Sequence, residues 1–111
     1  MFKLIPDPTF PVRVRLTVPG QEATSDLVLT CRHKPRGAVQ AWIDSAKELN
    51  DDAKFLGQVV ADWGENVQGE DGKPLPYTPE AFAALLDNYA SAGMEIFDAY
   101  LQELRQSRSK T

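Results

Sequence analysis

The chain has 111 residues, enough for one domain that buries about 65% of its unfolded surface. Its 42% hydrophobic and 25% charged residues are ordinary for a folded domain and argue against global disorder. The net charge of −4 is unevenly placed: residues 1–36 carry +3, residues 37–104 carry −10, and residues 105–111 carry +3. An acidic body attracts phosphate backbones poorly, so nucleic acid is not an expected partner.

No apolar run reaches the ~20 residues that span a bilayer, and Met1 to Pro8 lacks the apolar stretch of a signal peptide. No membrane partner is therefore expected. Cys31 is the one cysteine, which rules out an internal disulfide and favours a reducing compartment, by default the cytoplasm.

Val12-Arg13-Val14-Arg15-Leu16-Thr17-Val18 alternates apolar with polar residues and predicts a half-buried strand. Pro19-Gly20 signals a turn, and Leu27 to Cys31 predicts the returning strand of a hairpin. A lone hairpin is marginal, so it must rest on helices or on further strands. Pro35 can open a helix, and Val39, Trp42, Ile43, Ala46 and Leu49 mark one face through Leu49. Asn50-Asp51-Asp52 breaks it and offers a new N-cap.

The second helix is expected near residues 53–62, with Phe55, Leu56, Val59, Val60 and Trp63 as its apolar stripe. Residues 64–78 are irregular and contain Gly64, Gly69, Gly72, Pro74 and Pro76. Thr78 then caps a third helix, with Pro79 in its first turn and Glu80 near its positive end. After a loosening at Ala92-Gly93, a fourth helix carries Met94, Ile96, Phe97, Tyr100, Leu101 and Leu104. The expected class is α+β: an N-terminal hairpin followed by about four helices, in one domain over residues 1–104. Residues 105–111 form a short, basic tail expected to be disordered.

The 64–78 segment raises the question of chemistry. A calcium loop needs a carboxylate five places before its glycine. Val67 stands there for Gly72 and Gly64 for Gly69, so neither frame fits. A phosphate loop needs Ser or Thr after Gly-Lys, but Pro74 follows Gly72-Lys73 and has no N–H to give. Turn chemistry accounts for the segment better, with Asp71-Gly72 turning the chain and Pro74 and Pro76 holding it extended.

Cys31 and His33 face the same side of a strand, yet zinc needs three or four ligands and His33 is the one histidine. A nucleophile would also need an oxyanion hole. Cys31 is expected to pack as a small hydrophobe, with His33 exposed at the strand end. The acidic pairs Asp51-Asp52 and Glu70-Asp71 suit a helix start and a turn. No catalytic residue, metal site or cofactor is expected.

The unit Trp63-Gly64-x-Asn66-Val67, then Asp71-Gly72-x-Pro74-Leu75-Pro76-Tyr77-Thr78-Pro79-Glu80, precedes a helix with Phe82, Leu85, Leu86 and Tyr89. With Pro35-Arg36 upstream and Ala99-Tyr100 downstream, this order resembles the tail assembly chaperones of long-tailed bacteriophages and prophages. The likeness covers most of residues 27–104 and is sharpest over 63–89. It implies a small, non-enzymatic α+β protein of the host bacterial cytoplasm. Such a protein binds the tape-measure protein, keeps it soluble, helps recruit tail tube protein, and is absent from the mature virion. Members are often made in two forms by a frameshift near the end of the short one.

On this reading Trp63, Gly72, Pro74, Tyr77 and Thr78 form a structural joint between the second and third helices. Met94, Phe97, Tyr100 and Leu101 are the candidate partner-binding residues. The unlike charges of body and ends also favour a homo-oligomer through head-to-tail contacts weakened by salt. Two alternatives stand beside it: a structural head-tail or tail component that stays in the particle, and a small regulatory protein or enzyme built on Cys31 and His33.

Overall fold

Alternation along the two N-terminal strands becomes a sheet with one buried face. In the computed structural model, which describes residues 4–22, 24–65 and 67–105, β1 (Thr9–Leu16) pairs antiparallel with β2 (Ser25–Arg32). The register sets Val12 opposite Leu29 and Val14 opposite Leu27, all four buried, while Arg13 and Arg15 point to solvent. Of the basic tail expected from residue 105, Arg105 is instead the last residue of the final helix, and residues 106–111 lie outside the described residues.

The remaining elements are α1 (Arg36–Asp44), α2 (Ala46–Leu49), α3 (Asp52–Gly57), β3 (Val60–Asp62), α4 (Pro79–Asn88) and α5 (Ala92–Arg105). The class is α+β, as the periodicities indicate. The sheet has three strands in the order β1-β2-β3 rather than two.

Three helix boundaries differ from expectation. The second helix stops at Gly57, and the Val59-Val60 pair read as its stripe leads into β3, which pairs antiparallel with β2. Gly57 weakens the helix, and the β-branched pair Val59-Val60 two residues on favours a strand, for which the outer edge of β2 supplies the partner. The first helix is interrupted at Ser45, whose hydroxyl donates to the Trp42 carbonyl at 2.6 Å and competes with the helical ladder. It ends at Asn50, in the left-handed region at φ 46°. The break before α5 lies at Tyr89–Ser91, not at Ala92-Gly93, which form the first turn of α5.

Two caps fall where the sequence puts them. The Asp51 carboxylate accepts from the Lys54 N–H at 3.2 Å, and the Thr78 hydroxyl accepts from the Ala81 N–H at 3.0 Å. Each satisfies one of the orphan donors of a helix start.

The core lies between the inner face of the sheet and α5, closed by α1, α3 and α4. Val12, Val14, Leu29, Cys31, Leu56, Val59, Val60, Phe82 and Ile96 are buried there. Its aromatic centre is Trp42, stacked on Phe55 at 4.3 Å between centroids and 4° between planes. The edge of Tyr100 meets Trp42 at 5.4 Å, and Phe97 tilts onto the same indole at 5.7 Å. Such ring pairs add to the stabilisation from area alone. Both polar handles in this centre are satisfied: the Trp42 indole N–H donates to the Phe55 carbonyl at 2.9 Å, and the Tyr100 hydroxyl donates to the Arg32 carbonyl at 2.7 Å.

Two contacts of α5 fix the periphery. Glu95 of α5 accepts from the Thr17 backbone N–H at 3.1 and 3.2 Å and from its hydroxyl at 2.6 Å, tying the end of β1 to the last helix. A Cβ at Gly93 would lie 3.1 Å from an Asp52 carboxylate oxygen, so glycine lets the start of α5 approach the start of α3.

Tyr100→Phe keeps the ring and removes one hydrogen bond, so we expect a loss of about 1–2 kcal/mol in urea unfolding. An unchanged midpoint would show that the bond to Arg32 contributes nothing net.

Candidate functional site

The sequence singled out two regions, the 63–78 segment and the outward side of α5. The first begins where β3 ends. Asp62 Oδ1 accepts from the backbone N–H of Trp63 at 2.8 Å and of Gly64 at 3.4 Å, and Gly64 takes φ +64°. The chain then doubles back as a miniature hairpin. Leu75 N–H donates to the Val67 carbonyl at 2.8 Å, and Gly69 N–H to the Lys73 carbonyl at 3.0 Å. Its tip is the turn Gly69 to Gly72, closed by Gly72 N–H on the Gly69 carbonyl at 3.0 Å, with φ +76° at Gly72. The Asp71 carboxylate accepts from the Lys73 N–H at 3.0 Å. Backbone groups and carboxylates of this loop thus bond one another, which is turn chemistry rather than ligand chemistry.

Trp63 anchors the segment. It is 1% exposed, and its indole N–H donates to the Leu75 carbonyl at 2.8 Å. Tyr77 sets its ring edge-on to Trp63 at 5.0 Å, lies 5.8 Å from Phe82, and reaches the Val60 carbonyl with its hydroxyl at 3.4 Å. Pro74 lies opposite Gln68 across an isolated bridge, and Thr78 caps α4. The five expected joint residues occupy one continuous connection. It links strand β3 to α4, not one helix to another, because the helix expected before Trp63 ends at Gly57.

Along α5 the candidates separate by exposure. Met94 is 66% exposed, while Phe97 is half-buried on Trp42 and Phe55, and Leu101 is half-buried beside α1. Tyr100 is fully buried, which corrects its reading as a surface residue. The apolar stripe of α5 is wide, and its Ile96–Tyr100 side faces the sheet. Leu101 and Leu104 of α5, with Val39 and Ile43 of α1, floor a groove of about 620 Å³ rimmed by His33, Lys34, Arg36 and Arg105.

Cys31 lies fully buried on the inner face of β2, next to Arg32. Burial pushes its thiol from the ordinary 9.0 up to about 12, against a smaller opposing pull from the Arg32 charge. A sealed, protonated thiol is a poor nucleophile. His33 sits half-buried just past the strand, its backbone N–H on the Pro8 carbonyl at 2.9 Å. Among the described residues no cluster of three or more His, Cys, Asp or Glu side chains could hold a metal ion, and no helix is long and apolar enough to cross a membrane.

Arg32 is the position that sequence reasoning missed. Its guanidinium Nη1 donates to the carbonyls of Gly57, Gln58 and Val60 at 3.2, 3.3 and 3.2 Å, capping the end of α3. A basic residue at a strand end carries no local signal of this, because its acceptors lie 25 to 28 residues away.

Two outcomes follow from this geometry. Trp63→Ala should cost about 3–5 kcal/mol in unfolding free energy, the usual figure for a buried tryptophan. A variant melting within a few degrees of the parent would show that Trp63 does not anchor the connection. The second outcome concerns alkali. Burial also raises the Tyr100 phenol, from 10.0 to about 12, with a smaller contribution from Cys31. The folded state therefore holds both protons more tightly than the unfolded chain does. Their contribution to stability should be level below pH 9 and fall as pH rises from 9 towards 12, the window between the ordinary and raised thiol values. Cys31→Ala should remove the earlier part of that fall, and an identical pH profile would refute the assignment.

No curated protein and no solved structure matches the chain. A family model described as phage tail assembly chaperone matches residues 1–111, the whole of the sequence, and the connection built on Trp63 lies within that match. The chain therefore belongs to the phage tail assembly chaperone family.

Proposed function

We propose that this protein is a non-enzymatic chaperone that binds the tape-measure protein of its phage or prophage. It keeps that protein soluble in the host cytoplasm and helps recruit tail tube subunits, and it is not retained in the finished particle. The observation that carries this reading is the family match over the whole chain. The site geometry supports it. The glycine-rich segment is spent on its own turn, and Cys31 is sealed in the core. Met94 and the α1/α5 groove offer the apolar surface that a helical partner would need.

The test is coexpression with the tape-measure protein, read as its soluble fraction and by copurification. We expect the chain to raise solubility and to copurify, and to be missing from purified particles. Recovery of the chain in particles at a fixed stoichiometry would favour a structural tail component instead. The double variant Cys31→Ala, His33→Gln should solubilise the tape measure as well as the parent does. Loss of that ability with an unchanged circular dichroism spectrum would overturn the binding-only reading.

A further inference from the structure

The two most exposed large hydrophobic side chains among the described residues stand together. Leu4 is 91% exposed and Ile5 is 80% exposed, just before Pro6-Asp7-Pro8 and the start of β1. The base of this arm is pinned. The Pro8 carbonyl accepts from the His33 N–H at 2.9 Å, and Pro6 and Asp7 line a hollow beside Phe10 and Leu104. Each proline fixes its own φ and restricts the residue before it, here Ile5 and Asp7. Ordering Leu4 and Ile5 on a partner therefore costs little chain entropy.

A groove of matching character lies at the opposite end of β1. It measures about 330 Å³ and is lined by Leu16 and Leu27 of the hairpin, Leu75 of the connection and Leu85 of α4. Its wall is fixed in advance, because Leu75 gives its N–H to Val67 and its carbonyl to the Trp63 indole. A cavity of ~150 Å³ takes a benzene ring, so the groove has room for two aliphatic side chains. Asp26 is the single charged residue among the described ones that line it.

The arm cannot fill the groove of its own chain. From Thr9 to Leu16 the strand rises about 23 Å, whereas the chain from Leu4 to Pro8 spans at most about 14 Å. We propose that Leu4 and Ile5 of one copy enter the groove between hairpin, connection and α4 of a second copy. The contact joins unlike surfaces, so copies add head to tail, as an open chain or a closed ring. The α1/α5 groove is a poorer seat for the same pair, since covering it would strip water from Lys34, Arg36 and Arg105. Uneven net charge also favours head-to-tail order, but this contact is apolar, so screening by salt should not dissolve it. The contact is independent of which protein the chaperone carries.

The experiment is sedimentation equilibrium of the full chain over a concentration series, with circular dichroism to verify folding. The parent should associate as its concentration rises, equally in low and high sodium chloride. Leu4→Ser and Ile5→Ser should each weaken association about tenfold, and the variant carrying both should be monomeric. Ala84→Arg, at an exposed position of α4 that lines the groove, should be monomeric too. None of these side chains belongs to the core, so all variants should keep the parental spectrum. Mixed together, the double arm variant and Ala84→Arg should form a one-to-one dimer and nothing larger, because one intact arm meets one intact groove. A mixture that stays monomeric, or a double arm variant that associates like the parent, would overturn the proposal. A parent dissociated by salt would point to charge contacts, and a parent monomeric at every concentration would leave the groove to another protein; either result would overturn it equally.

Discussion

Arg32 is where the three parts of the molecule are joined. It ends β2, and its backbone N–H donates to the Val59 carbonyl at 2.6 Å, which starts the third strand. Its own carbonyl takes the Tyr100 hydroxyl from α5, while its guanidinium closes the last turn of α3. A single residue thus satisfies backbone groups from a strand and a helix that local hydrogen bonding would leave unpaired. The sheet irregularity at Thr30/Cys31 lies immediately before it and lets β3 meet β2 where α3 has just ended.

Around that junction the packing is aromatic. Trp42 lies between Phe55 of α3 and the rings of α5, so α1, α3 and α5 share one set of contacts. Trp63 plays the corresponding part on the other side, holding Leu75 and Tyr77 so that α4 starts at Thr78 in a defined direction. The two indoles are each tied by an N–H to a backbone carbonyl, which fixes orientation as well as position. The outward face of α5 is left with Met94 and the groove it shares with α1.

How much of this could be read from residues alone depended on range. The hairpin, the Asp51 and Thr78 caps and the Asp71-Gly72 turn are each specified within a few residues, and sequence reasoning finds them. The third strand has only three residues, and Val59-Val60 fits an apolar helix stripe as well as a strand until the free edge of β2 is known. Tyr100 was misplaced for a related reason. Spacing shows that α5 has a wide apolar stripe, but only the packing partner decides which part of it is inside. The family, by contrast, was legible from the order of motifs over residues 63–89, which do not depend on naming the right element before Trp63.

The clasp between Glu95 and Thr17 joins residues 78 positions apart, and α5 covers β1, which precedes it in the chain by that distance. Until that helix leaves the ribosome, Val12, Val14 and Leu16 have no cover from it, so the native core cannot close before α5 has been made. The nascent hairpin spends most of its synthesis as an apolar surface in search of a partner. A member of a chaperone family thus depends, for its own maturation, on α5 arriving in time to cover the hairpin.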